Sequence, residues 1–165
     1  MKEIDFASRE RLARECADSE KLLKTLLKQA SKNPLTTADH VRFCKLVANA
    51  CHFGALMDTL DARPEDRRTY RFTDDTTGDV YRALLKAIAA DPVSTTFGYE
   101  DLVVRVKSLC QRGQSPAESS LRVAIPHLAA MSGVLAWDDA LQALEVRDPF
   151  FLFYLRWSDR LLHSQ

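Results

Sequence analysis

Long apolar runs, paired cysteines, phosphate-binding loops and an excess of either charge are all missing from this chain. No apolar stretch approaches the ~18 residues that cross a bilayer, so no membrane role is expected. The opening Met1-Lys2-Glu3-Ile4-Asp5 lacks the basic-then-apolar order of a secretory leader, which makes a cytoplasmic location the expectation. The four cysteines, Cys16, Cys44, Cys51 and Cys110, include no C-x-x-C pair. Each falls on an apolar helical stripe and reads as a small buried hydrophobe in a reducing compartment. No G-x-x-x-x-G-K-[ST] loop occurs, so the common phosphate-binding turn is excluded. Basic and acidic residues balance at 23 each. Residues 1–75 hold 14 basic and 13 acidic groups and the rest hold 9 and 10. Neither part carries the basic footprint usual in nucleic-acid binders.

What is present belongs to a globular protein. An apolar fraction of 46% with 28% charged residues excludes a disordered chain, and 165 residues make one ordinary domain or two very small ones. Glycine and proline number eleven together, and only Gly54 and Pro126 fall inside a helical pattern, so the others read as boundaries. A first helix is predicted from about Ser8 to Ala30, with Leu12, Cys16, Leu23, Leu26, Leu27 and Ala30 on one face. Asn33-Pro34-Leu35-Thr36-Thr37 breaks it and caps a second helix, about Ala38 to Leu60, whose narrow polar stripe suits the centre of a bundle. Residues 61 to 75 lose periodicity and gain charge. The expected organisation is a helical bundle over 1–63, a linker over 64–75 and a second domain over 76–165.

In that second domain three shorter helices are predicted. Val80, Tyr81, Leu84, Leu85 and Ile88 define the first, which ends at Asp91-Pro92. Tyr99, Leu102, Val103, Val106, Leu109 and Cys110 define the next, with Gly113 just beyond. Ser115-Pro116-Ala117-Glu118 has the form of a capping box with proline at the first helical position. The helix it opens carries Leu121, Ala124, Ile125, Leu128 and Met131 and stops at Gly133. Pro126 inside it predicts a kink near Arg122. Two strands follow, Val134 to Trp137 and Leu141 to Val146, around a turn at Asp138-Asp139-Ala140. Last comes a helix over 149–163, N-capped by Asp148, with Pro149 in its first turn and five aromatic residues between Phe150 and Trp157. Three helices and a hairpin form the winged-helix arrangement, a variant of helix-turn-helix. The fold class expected is therefore mainly α: an N-terminal helical hairpin or small bundle, then a winged helix with a two-stranded wing and a closing aromatic helix.

This order of elements, ending in Leu144-Glu145-Val146-Arg147-Asp148-Pro149-Phe150-Phe151-Leu152-Phe153-Tyr154-Leu155-Arg156-Trp157, resembles the winged-helix domain that follows the core of prokaryotic AAA/STAND-type ATPases. The resemblance covers residues ~76–157 and implies a regulatory or docking role. It does not imply ATP hydrolysis, because the phosphate loop is absent. Residues 1–75 resemble no family.

Candidate sites are sparse. His40 and Cys44 stand at i, i+4, but Cys51 lies about 10 Å further along the helix axis, too far to share one metal. A packing stripe is the better reading, and no metal or cofactor is expected. His127 and His163 have no nucleophile and carboxylate at a recognisable spacing, so no enzyme is expected. Asp74-Asp75, Glu100-Asp101 and Asp138-Asp139 have structural explanations in a linker, a first helical turn and a tight turn. Arg67, Arg68 and Arg71, interleaved with Tyr70 and Phe72, are offset by nearby acids. A base-reading helix needs cations or amides near its N-terminus, and residues 116–131 offer only Arg122. Arg105, Lys107 and Arg112 on the preceding helix are positioned for backbone contacts. The preferred expectation is an interaction module, a subunit or adaptor of a prokaryotic nucleoprotein or ATPase-linked assembly. The alternative is a duplex-DNA-binding regulator using Arg105, Lys107, Arg112 and Arg122, with Arg67 and Arg68. On the aromatic helix, Phe150, Phe153, Tyr154 and Trp157 recur at i, i+3, i+4 and i+7 and are predicted to close the core. Phe151, Leu152 and Leu155 are then left to be covered, by the N-terminal helices as the nearest candidate or by a protein partner or second copy as the next.

Overall fold

The computed structural model describes residues 53–61 and 68–157, together with Lys21, Thr36, Ala38, Asp39, Arg42 and Leu161. The predicted first helix and most of the second, with His40, Cys44 and Cys51, lie outside the described residues, as do Arg67 and His163. The chain divides into two compact units, Met1–Ala55 and Leu56–Gln165. That division falls earlier than the boundary expected at residue 63. In the first unit, Thr36 and Asp39 form a reciprocal cap. The Thr36 amide and hydroxyl donate to Asp39 Oδ2 at 3.0 and 2.6 Å, and the Asp39 amide donates to Thr36 Oγ1 at 3.2 Å.

Helix α1, Phe53–Asp61, buries Phe53, Leu56, Met57 and Leu60, an i, i+3, i+4, i+7 stripe. Residues 70–75, expected as linker, take part in an antiparallel hairpin instead. Strand β1 (Tyr70–Arg71) pairs with β2 (Thr77–Gly78), Tyr70 opposite Gly78 and Arg71 opposite Thr77. Tyr70 and Phe72 are buried, and the backbone of Arg71 and Thr73 bonds Gln111 and Leu109. Two aromatic anchors among the charges hold this stretch against the fold; a count of charge and periodicity does not register them.

Helix α2, Val80–Ala89, starts where Asp79 Oδ1 accepts the Arg82 amide at 2.9 Å. Six consecutive residues, Ala83 to Ile88, are buried. The helix is covered all round because α3 (Tyr99–Leu109), α4 (Glu118–Ser132) and α5 (Pro149–Trp157) all pack on it. Each leucine or isoleucine so buried stabilises by roughly 1.5–3 kcal/mol relative to exposure.

The predicted capping box before α4 does not form, since the N-cap is Ala117 and no side chain caps it. The helix runs through Pro126 to Ser132, and Gly133 ends it at φ 64°, the left-handed conformation that glycine adopts without steric cost. Strands β4 (Leu135–Asp138) and β5 (Ala143–Val146) form the expected hairpin. Asp138 Oδ1 accepts the amides of Ala140 and Leu141 in its turn.

A third strand, β3 (Thr96–Gly98), pairs with β5 and gives the order β3-β5-β4. At three residues, with Phe97 its buried side chain, it is too short to show an alternating pattern. With two small antiparallel sheets among the described helices, the architecture is mixed α/β rather than mainly α. Among the described residues, no helix is long and apolar enough to cross a membrane.

Candidate interaction groove

Four of the cations that sequence placed on a nucleic-acid face, Arg68, Arg105, Lys107 and Arg122, have partners within the chain, although only Arg105 is not exposed. Arg105, on α3, donates to the carbonyls of Ala87, Ala90 and Pro92 at 3.3, 2.9 and 2.8 Å, and its guanidinium lies 5.0 Å from the Phe97 ring centre. It holds the carbonyls of Ala87 and Ala90 at the C-terminal end of α2, which no helical amide reaches, and that of Pro92 in the loop beyond. Lys107 Nζ donates to Glu118 Oε1 at 2.6 Å. That hydrogen bond raises the Lys107 ammonium above its ordinary value and lowers the Glu118 carboxyl below its own. The Arg122 guanidinium sits 4.6 Å from the ring centre of Tyr99, and Arg68 sits 5.7 Å from that of Tyr70. Arg112 is exposed.

The predicted apolar interface is also reassigned. Phe151 and Leu155 are 0% exposed and Leu152 is 5%, so these side chains are core and cannot meet a second chain. Phe150, expected to seal the core, is 45% exposed, and Phe153 is half-buried. The helix is apolar on every side, so its periodicity does not choose an inward face. Tertiary contacts choose it. Arg156 reaches the Ala89 carbonyl at 3.2 Å and the Asp91 carboxylate at 2.8 Å, and α5 packs between α2 and β5.

Among the described residues, a groove of about 480 Å³ is open. Strand β1 supplies Tyr70, preceded by Arg68; the first turn of α2 supplies Val80 and Tyr81; and α4 supplies Ser119, Ser120, Val123 and Ala124. The Tyr81 hydroxyl is 2.6 Å from His127 Nδ1, which joins the wall on α2 to α4. Val123 is 72% exposed and points away from the buried stripe of Leu121, Ala124, Ile125 and Leu128. Sequence reasoning missed this groove. An apolar residue off the stripe of its own helix was the signal available for it, whereas the hairpin wall leaves no comparable trace.

A second cavity of about 230 Å³ lies beside Lys86, Asp74 and Arg156. Its charges are internally matched. Lys86, 8% exposed, donates to Asp74 Oδ2 and to Thr76 Oγ1 at 2.9 Å and lies 5.0 Å from the Phe72 ring centre. Burial pushes the Asp74 carboxyl up, but hydrogen bonds from Lys86 and Thr76 outweigh it and hold it below 3.8. Arg156 pairs with Asp91, whose carboxyl is lowered by the hydrogen bond and the charge of that guanidinium. These pairs tie the hairpin and α5 to α2. Among the described residues, no three histidine, cysteine or acidic side chains converge to hold a metal ion. No protein-family model, curated protein or solved structure matches the chain.

Proposed function

We propose that this chain is a non-enzymatic interaction module of winged-helix type, acting as a subunit or adaptor in a larger assembly. Helix, strand, helix, helix and hairpin in the order α2-β3-α3-α4-β4-β5, with the sheet ordered β3-β5-β4, supports the winged-helix reading. The observation that carries the role is the engagement of Arg105, Lys107 and Arg122. Arg105 holds three backbone carbonyls, Lys107 holds Glu118, and Arg122 lies on Tyr99. A duplex binder needs such cations turned toward phosphates. The outward side of α4 presents Ser119, Ser120 and Val123 beside the groove, with the exposed Arg122 drawn over Tyr99, a surface suited to a protein. A winged-helix frame serves either role, so the reading rests on these side chains.

The test is duplex-DNA binding by the full chain across a range of salt concentrations. The module reading expects no salt-dependent binding, and an Arg122→Ala variant indistinguishable from the parent. Binding with a steep salt slope that Arg122→Ala weakens, without loss of thermal stability, would establish the regulator instead.

A further inference from the structure

We propose that the outer edge of β4 takes up an extended segment of a partner protein, bearing lysine or arginine, which pairs with it as a fourth strand beside Trp137. This rests on the module reading and names the surface and the chemistry of its partner.

Register fixes the edge. The Arg147 amide donates to the Val134 carbonyl at 2.8 Å, so Val134, Ala136 and Asp138 turn their backbone groups toward β5. Leu135 and Trp137 turn theirs the other way. Among the described residues no strand pairs on that side, since β4 ends the order β3-β5-β4. Ser132 Oγ accepts the Leu135 amide at 2.9 Å. The Leu135 carbonyl and the amide and carbonyl of Trp137 are left, a pattern of donor and acceptor that an extended backbone matches. The opposite edge is closed. There the Val146 amide takes the Thr95 carbonyl, Thr96 faces outward from β3, and Ser94 holds both its groups. Ser94 Oγ accepts the Thr96 amide at 3.1 Å and donates to the Thr96 carbonyl at 2.6 Å. One rim of the sheet is blunted by a side chain, and the other is not.

Charge selects the occupant. Residues 134–147 hold three exposed acids, Asp138, Asp139 and Glu145, against one cation, Arg147. Arg147 stands across from Val134, at the end of the ladder away from the turn, whereas Asp138 and Asp139 follow directly on Trp137. Asp138 accepts the Ala140 and Leu141 amides and Asp139 accepts the Trp137 indole N–H, donors that carry no charge to offset theirs. The C-terminal end of α4, just before β4, adds the negative end of its dipole. Ala136, Asp138 and Glu145 share the outward face of the hairpin, and Trp137 shares the face of Leu135 and Leu144. An incoming strand therefore sets an apolar residue opposite Trp137 and basic residues on either side of it. A second copy brings a hairpin with the same acid excess, and a nucleic acid brings phosphates, so both are repelled.

The probe is an acetylated, fluorescein-labelled hexapeptide of alternating lysine and valine, titrated against the full chain by anisotropy. Its counterparts carry glutamate for lysine, N-methyl groups on the valines alone, or N-methyl groups on the lysines alone. The lysine peptide is expected to bind at least about tenfold more tightly than the glutamate peptide. One N-methylated peptide binds as the parent peptide and the other does not, because a strand presents alternate amides to its neighbour. The Trp137 amide exchanges freely in the free chain and is slowed about tenfold or more by the lysine peptide. Asp138→Asn combined with Glu145→Gln, which keeps the acceptor in the turn, brings the preference for lysine within about twofold. Equal binding of the lysine and glutamate peptides, or of the two N-methylated peptides, overturns the proposal. So does a double variant that keeps the full preference. A Trp137 amide already protected in the free chain also overturns it, since the chain itself or a second copy then covers the edge. Failure of these arms with no duplex binding removes the edge assignment and leaves the module reading standing. Steep salt-dependent duplex binding removes the module reading and the edge assignment with it.

Discussion

Arg105 shows how far a side chain's role depends on what lies within its reach. In sequence it is a cation on a helix near a proposed recognition element. In the fold it satisfies two carbonyls at the end of α2 and one in the loop that follows, and lies against Phe97. Arg105→Ala is therefore expected to cost roughly 1–3 kcal/mol, because those acceptors lose a charged donor. Arg112→Ala, at an exposed position, should stay within about 0.5 kcal/mol. Urea unfolding of the two variants checks the contrast, and equal midpoints would return Arg105 to the surface. Asp74 carries a pH dependence of definite sign. Its folded carboxyl titrates below the ordinary 3.8, so its contribution is full above that value and is lost as pH falls through the lower folded one. Thermal melts of the parent and Asp74→Asn should differ by a constant gap near neutrality that closes in acid. A gap that widens in acid would contradict the pairing with Lys86.

Helix α5 makes the corresponding point for elements. Its beginning is local and legible, since Asp148 Oδ1 accepts the Phe150 amide at 2.9 Å and Pro149 needs no partner there. Its rotation is not local. Of the apolar residues that follow, Phe151, Leu152, Tyr154 and Leu155 turn inward, and Phe150 stays half-open. Leu155→Ala should cost about 2–5 kcal/mol, as expected for a cavity in a packed core. Phe150→Ala should cost less than about 1 kcal/mol. Chemical unfolding separates the two, and a larger loss for Phe150 would reverse the assigned face. The hairpin at Tyr70–Gly78 follows the same logic. Its strands are two residues each and hold because Tyr70 and Phe72 are buried. Nothing in their own pattern announces them.

For the whole molecule, balance of charge is the property that matters most. With 23 basic and 23 acidic groups the chain carries no net charge to draw it onto a polyanion. The same neutrality should make solubility lowest near pH 7 and higher on either side, measured as the polyethylene glycol concentration that precipitates the protein. A minimum well away from neutrality would mean that the folded charges do not follow the formal count. Sequence by itself determined much about the helices of the second unit: Asp148 as a cap, Gly133 as terminator, and the stripes of α2 to α4. It determined the β4–β5 hairpin as well. The cap, the terminator and the stripes depend on hydrogen bonds and sterics reaching no more than about four residues along the chain, and the hairpin on the turn between its strands. Tertiary structure decided the third strand, the inward face of α5, the hairpin in place of a linker, and which cations are engaged. Each of those is settled by partners distant in sequence, as Arg156 with Asp91 or Phe97 opposite Leu144, and a local pattern carries no record of what will stand across from it.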